Sequence, residues 1–277
     1  MNILKQIGVC SWSLQPENPR VLVDCLNGLG IKKLQCALDP LREHPDIWSD
    51  LPALCKENGI EIVSGMFTCV GEDYSTLERI KKTGGIVPDE TWEQNKNNIK
   101  KSIEIASKLN LKLVTFHAGF IPHNKNDASF KKLLNRLREV ANLFAEASIE
   151  LGLETGQETA QTLKELLQTL DCKNVVVNFD PANMILYDKG DPVEALQVLY
   201  PYIRQCHLKD AKRTKTAGEW GEEVPLGTGE VDWEKFLKFL KKKGFSGNLC
   251  IEREAGNQRL KDIKIAYNYI INLMKGV

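Results

Sequence analysis

The sequence predicts an α/β protein folded as a single closed (β/α)8 barrel, with extended loops after the third and seventh strands. Three observations carry this. The length, 277 residues, suits a closed eightfold barrel, which runs to roughly 250 residues. Eight short apolar runs alternate with amphipathic helical stretches, and no break in composition interrupts them, so residues 1–277 read as one domain. Several of the runs are apolar throughout rather than at every second residue, as in strands covered on both faces.

In chain order, the first strand is Ile7–Cys10. A helix follows over 20–29, with Val21, Leu22, Cys25, Leu26 and Leu29 on one stripe and Gly30 as its stop. Strands are then expected at Lys33–Ala37 and Glu61–Met66. The long connection 70–98 comes next; in it Thr83-Gly84-Gly85-Ile86-Val87-Pro88 makes a stiff turn between two helical pieces. A helix over 95–109, a strand over 113–117, a helix over 130–151 and a strand over 149–154 continue the alternation. A short helix over 163–170 precedes strands at 174–180 and 203–207. The second long connection, 209–231, contains Gly218, Gly221 and Leu226-Gly227-Thr228-Gly229. Its Gly-Thr-Gly is no phosphate loop, because it follows no strand and lacks the Lys-Ser/Thr ending. The helix Trp233–Lys242 groups Trp233, Phe236, Leu237 and Leu240 and ends at Gly244; a strand over 249–252 and a helix over 259–274 complete the chain. Both long connections leave strand ends on the rim where barrels build their sites, and loops of this length carry function or a lid.

Thirty-seven basic residues balance thirty-seven acidic ones, which argues against nucleic acid or an anionic membrane as partner. The lysine runs Lys100-Lys101, Lys131-Lys132 and Lys241-Lys242-Lys243 fall on helices and read as solvated faces. No apolar stretch approaches the roughly 20 residues of a membrane span, and residues 1–6 lack a secretory apolar region. Among eight cysteines, Cys10, Cys36, Cys206 and Cys250 lie in apolar strands and no Cys-x-x-Cys occurs, so they read as buried thiols of a reducing compartment. A soluble cytoplasmic protein is expected; a homo-oligomer is compatible with the sequence but not required by it. His44 and His123 are expected to be exposed.

The functional signal lies at the strand ends. Glu154, Asp180, His207 and Glu252 each close a predicted strand, one strand–helix unit apart. In a parallel barrel they converge at one rim. Three carboxylates and an imidazole suit one divalent ion, Mn²⁺ foremost, with Mg²⁺, Co²⁺ and Zn²⁺ as alternatives. If the last strand ends later, Glu254 takes the place of Glu252. His117 ends the fourth strand and points toward the same site, or is a structural strand-end histidine. Lys209 beside His207 suits neutralisation of an oxyanion, and Asp210 suits orienting His207 or a loop. Trp12 is either a stacking platform for a substrate ring or core.

The segments Thr115-Phe116-His117-Ala118-Gly119, Leu153-Glu154-Thr155-Gly156-Gln157, Phe179-Asp180-Pro181-Ala182-Asn183, His207-Leu208-Lys209-Asp210-Ala211-Lys212, Leu226-Gly227-Thr228-Gly229 and Ile251-Glu252 resemble, in their order, the xylose isomerase-like TIM-barrel superfamily. That superfamily includes sugar (phosphate) isomerases and epimerases and the endonuclease IV type of DNA-repair enzyme. The resemblance argues against the nuclease branch. Its extra zinc histidines are replaced by Asn183, by Glu219-Trp220-Gly221-Glu222-Glu223 and by Met66-Phe67-Thr68-Cys69.

What the resemblance implies is a divalent-metal-dependent sugar or sugar phosphate isomerase or epimerase, nearest the ketose 3-epimerases. In that branch a glutamate pair both binds the metal and moves protons, and Glu154 and Glu252 hold those positions, with Asp180 and His207 completing the ligands. Arg213 matches a substrate-binding arginine, whose planar guanidinium suits hydroxyl pairs or a carboxylate. Asn183 stands where the epimerases carry a substrate-holding histidine. Glu158 is read either as a polar substrate contact or as an acidic residue in the first turn of the next helix. A dehydratase of a keto-polyol or dehydroshikimate-like substrate needs the same parts; a non-catalytic sugar-binding barrel is the further alternative.

Overall fold

The computed structural model describes residues 3–122, 124–216 and 218–276. His123 and the first two residues of the amino-terminal segment lie outside the described residues. The strands are β1 (Ile7–Cys10), β2 (Lys33–Ala37), β3 (Glu61–Met66), β4 (Leu113–Phe116), β5 (Glu150–Glu154), β6 (Val175–Phe179), β7 (Ile203–Leu208), β8 (Asp210–Lys212), β9 (Glu222–Val224) and β10 (Asn248–Ile251). Eight of them close a barrel in the order β1-β10-β7-β6-β5-β4-β3-β2, every pairing parallel. The other two form an antiparallel ribbon in the loop after β7, pairing Asp210 with Val224.

The apolar strands are buried because helices cover the outer face while side chains fill the barrel. One interior layer is polar. Gln35, Ser64, Thr115, Asn178 and Gln205 are fully buried, and hydrogen bonds satisfy them. Ser64 Oγ donates to Gln205 Oε1 (2.7 Å), Gln205 Nε2 to Asn178 Oδ1 (3.2 Å) and Gln35 Nε2 to Thr115 Oγ1 (2.9 Å). The strand register shifts between Leu34 and Gln35 and between Val177 and Asn178. Such irregularities re-aim side chains, and here they fall on two amides of this layer.

Two helices depart most from the sequence expectation. The one expected over 130–151 runs over Ala128–Glu146. Ser148, at φ +57°, breaks it ahead of β5, and Ile149 N donates back to Phe144 O at 3.0 Å. Apolar residues continue across that junction, so helical spacing alone could not find the stop. The helix expected over 95–109 starts earlier, as Asp89–Lys108, with Asp89 and Glu90 in its first turn where the helix dipole favours them. The short helices Asp39–Glu43, Pro45–Trp48, Leu51–Glu57, Pro181–Leu186 and Pro192–Leu199 are too brief for a period to reveal them.

The loops after β3 and β4 interlock above the barrel. Gly85 has φ +71°, and a Cβ there would sit 2.0 Å from Ala118 O, so only glycine admits this approach. Ile86 N then donates to Ala118 O at 3.2 Å. All eight cysteines are free, and Cys10, Cys36, Cys206 and Cys250 are buried. His44 is exposed. No helix among the described residues is long and apolar enough to cross a membrane.

Candidate active site

Four neighbouring strands of the barrel bring the acidic residues and the histidine together. Glu154 is the last residue of β5, Asp180 and Glu252 each lie one residue beyond β6 and β10, and His207 is inside β7. All four are buried. His207 Nδ1 lies 3.6 Å from Glu154 Oε1, 3.5 Å from Asp180 Oδ2 and 3.3 Å from Glu252 Oε2. Donors that share one ion at roughly 2.1 Å stand about 3.0–3.4 Å apart, so the spacing fits a divalent cation. Two of the facing atoms, Asp180 Oδ2 and His207 Nδ1, are buried without any hydrogen-bond partner. Buried polar atoms are rarely left so unless an ion or water takes them.

The neighbours explain this orientation. Asp180 caps the helix Pro181–Leu186, Oδ1 accepting from Asn183 N at 2.9 Å, which turns Oδ2 into the cage. Gln35 gives its amide hydrogens to Thr115, so Gln35 Oε1 faces His207 Nε2 at 2.8 Å and accepts its N–H. That leaves Nδ1 for the carboxylates. Burial alone would lower the basicity of His207, but Glu252, Cys10 and Glu154 outweigh it and hold the imidazole well above its usual range. The position therefore attracts positive charge.

The two glutamates are held differently. Glu252 Oε1 accepts from Trp12 Nε1 at 2.8 Å, and Oε2 from Lys209 Nζ at 2.9 Å. Burial would raise its carboxyl, but His207 and Lys209 together hold it well below the usual carboxylate range. Glu154 instead meets amides: Asn183 Nδ2 at 3.0 Å and Asn178 Nδ2 at 3.1 Å, with His117 Nε2 at 3.4 Å. Its carboxyl is lowered, burial being opposed by His117 and His207. Asp180 is raised, because burial prevails over the pull of Lys209.

A chamber of about 500 Å³ opens over this cage, lined by Trp12, His117, Asn183, Lys209, Glu252 and Glu254 among others. Glu254 remains outside the cage and binds Lys209 Nζ at 2.7 Å, so the later strand end does not occur. Arg213 lies away from the chamber lining, its guanidinium donating to Asp188 Oδ1 at 2.8 Å and Gly190 O at 2.6 Å. Glu158 is also outside the lining; it precedes the N-cap Thr159 of the helix Ala160–Leu170, so it is not in the first turn. Burial pushes its carboxyl up to about 8, against the pull of Lys189.

Asp210 organises the long loop rather than His207. Its Oδ2 accepts from Gly227 N (2.8 Å), Gly229 N (3.1 Å) and Trp233 Nε1 (3.0 Å). The amides of the Gly-Thr-Gly turn are thus committed to a carboxylate of the chain itself. Sequence reading missed Gln35, Asn178, Glu72, Tyr187 and Glu223. For Gln35 and Asn178 a signal existed: an amide inside an otherwise apolar strand. Glu223 carries no such mark; its Oε1 accepts from Arg253 Nη1 (2.8 Å) and Glu254 N (2.9 Å), fastening the ribbon to the loop after β10.

The chain belongs to the xylose isomerase-like TIM barrel family, which it matches over residues 28–273. It is similar to a xylose isomerase domain protein from Planctomyces limnophilus, with 31% identity, a TM-score of 0.85, and 92% of this chain and 93% of that one covered. The fold is shared with a probable 3-DHS dehydratase, AsbF, from Bacillus anthracis: 18% identity, TM-score 0.74, 96% and 99% covered. It is shared too with 3-keto-D-glucoside 4-epimerase from E. coli: 14% identity, TM-score 0.73, 96% and 99% covered. Two curated relatives, MJ1311 of Methanocaldococcus jannaschii and YihM of Escherichia coli, are 26% and 25% identical over 62% and 54% of this chain, which spans 61% and 46% of their lengths.

Proposed function

We propose that the protein is a metal-dependent isomerase or epimerase of an uncharged keto-sugar. The observation that carries this is the cage of Glu154, Asp180, His207 and Glu252, with its two orphaned atoms turned inward. An ion held there would polarise the substrate carbonyl and stabilise the negative charge that forms when the adjacent carbon loses its proton. Glu252 and Glu154, on strands separated around the barrel by β7 and β6, serve as the two proton-transfer groups. One takes the proton from the carbon next to the carbonyl, and the other returns a proton from the opposite face, inverting that carbon. Trp12 and Lys209 fix the Glu252 carboxylate by its two oxygens, while Asn183 and Asn178 do so for Glu154.

The chamber favours a neutral substrate. Asp39, Glu72, Glu223, Glu252 and Glu254 line it, and Lys209 is the only lysine or arginine among the described lining residues. Lys209 is committed to Glu252 and Glu254, so no free lysine or arginine remains among the described lining residues to grip a phosphate or carboxylate. The same argument disfavours a dehydratase of a carboxylated substrate such as the dehydroshikimate class.

The test is deuterium exchange in D₂O with protein loaded with Mn²⁺, Mg²⁺, Co²⁺ or Zn²⁺, across neutral keto-sugars and their phosphates. Deuterium should enter next to the carbonyl, at unchanged product mass apart from the label, with neutral sugars preferred; chelation should stop it. A product lighter by one water identifies a dehydratase. Absence of exchange from every substrate in protein shown to bind one equivalent of ion would refute the reading.

A further inference from the structure

Arg213 and Glu158, which the resemblance offers as substrate contacts, both lie off the chamber lining. Other groups must therefore meet the hydroxyls of a keto-sugar whose carbonyl end sits over the cage. The chamber carboxylates outside the cage are Asp39, Glu72, Glu223 and Glu254. Three of them are taken up by cations of the chain: Asp39 by Arg42 at 2.6 Å, Glu223 by Arg253 at 2.8 Å and Glu254 by Lys209 at 2.7 Å. Glu72 differs. Its partners are Gly85 N, donating to Oε1 at 2.9 Å, and Tyr74 Oη, donating to Oε2 at 3.3 Å. No lysine or arginine among the described residues pairs with it. A carboxylate accepts roughly four hydrogen bonds, so about half of its capacity is open.

Glu72 is half-buried and fixed before any ligand arrives. Gly85, which holds its Oε1, belongs to the turn locked against Ala118 O. Arg136 fastens the same turn from outside, Nη1 donating to Ile86 O at 2.9 Å and Val87 O at 2.7 Å, with its guanidinium 4.7 Å from the centre of the Trp92 ring. A group held this way loses little freedom on binding, which is what selective recognition needs. The loop that carries Glu72 leaves β3, the strand opposite β7 in the ring, so it stands across the barrel from the strand of His207.

His117 stands on the same wall. Its Nε2 is 3.4 Å from Glu154 Oε1, while its Nδ1 is buried with no hydrogen-bond partner. Burial raises the Glu72 carboxyl, and His117 is the neighbour that most opposes the rise, so the two side chains are close in space. An open acceptor and an unpartnered ring nitrogen beside one chamber match a hydroxyl group, which donates to one and meets the other.

We propose that Glu72 is a specificity-determining residue: with His117 Nδ1 it binds a hydroxyl of the substrate remote from the carbonyl carried over the cage. This rests on the sugar isomerase or epimerase reading, yet the binding it describes is testable without turnover.

The experiment is calorimetric titration of Mn²⁺-loaded protein with neutral ketoses of increasing length (dihydroxyacetone, erythrulose, xylulose and fructose) for wild type, Glu72→Gln and Glu72→Leu. In wild type one step of the series should tighten binding by about tenfold, the effect of one hydrogen bond to a charged group. Glu72→Gln, which still accepts from Gly85 N, should shrink that step, and Glu72→Leu should erase it. Manganese stoichiometry and Tm of Glu72→Gln should match wild type, which shows cage and loop intact. Where a ketose turns over, the loss should appear in KM, with kcat within about twofold. Affinity that is absent or equal along the whole series, or a step that survives both substitutions, overturns the proposal. A Glu72-dependent preference for 1-amino-1-deoxyfructose over fructose overturns it too, in favour of an ammonium site. Deuterium exchange run beside the titration separates the two claims. The step without exchange counts against the isomerase reading alone, and exchange without the step counts against Glu72 alone.

Discussion

Glu154 and Glu252 face one imidazole nitrogen from either side, yet the chain surrounds them with different chemistry. Glu252 is held by an ammonium and an indole N–H, and Glu154 by two neutral amides with a histidine nearby. Glu158, four residues beyond Glu154, is a third case, since its principal cationic neighbour, Lys189, does not offset its burial. The three outcomes follow the neighbours: Glu252 well below the usual range, Glu154 lowered, and Glu158 pushed up to about 8. Burial penalises the charged form in all three, and what stands beside each carboxylate decides whether it ionises.

The largest expected effect tests whether the two sides remain equivalent in chemistry despite this difference. Glu252→Gln and Glu154→Gln should each lower turnover by about 10²–10⁴-fold, the range for a lost proton-transfer group, with the fold intact by circular dichroism. Deuterium exchange run separately from each epimer should show the two variants failing in opposite directions. Failure in the same direction would reduce the pair to one base and one ligand.

Next comes the cation on the Glu252 side. Lys209→Met leaves Glu252 buried beside Asp180 without its ammonium, a loss of about 3–5 kcal/mol for a broken buried pair. Asn183→Leu, on the Glu154 side, removes a neutral donor and should cost about 1–3 kcal/mol. Denaturant unfolding of the two variants measures the difference; equal losses would mean that the ammonium is no more important than an amide.

Glu158 sharpens the comparison through pH. Its folded carboxyl, at about 8, lies above the ordinary 4.5, so between those values the native state holds a proton that the unfolded chain has released. Stability should therefore fall as pH rises from about 4.5 to about 8, the full cost standing above that window. Taking about 1.4 kcal/mol per pKa unit, the ceiling is on the order of 5 kcal/mol. Glu158→Gln should flatten this slope and raise Tm at pH 8 with little change at pH 4.5. An unchanged slope would show that Glu158 is ionised in the folded protein.

Much of this was legible in the residues. The alternation of apolar runs with amphipathic stripes implied the barrel, and a parallel barrel places strand ends at one rim, so Glu154, Asp180, His207 and Glu252 could be gathered before any coordinate was known. Element type followed from periodicity, which is local. Boundaries such as that between Glu146 and β5 did not, because the apolar pattern runs on through Ser148 and only the backbone turn marks the change.

By itself, then, the sequence determined the barrel and the four converging side chains, since strand period and chain order settle both. Only the tertiary structure decided how they are held. Trp12 reaches Glu252 across 240 residues and Gln35 reaches His207 across 172. Arg213, which the resemblance placed on the substrate, is turned to Asp188 and Gly190. Contacts of that range depend on where strands sit around a closed sheet, and no local pattern of residues encodes them.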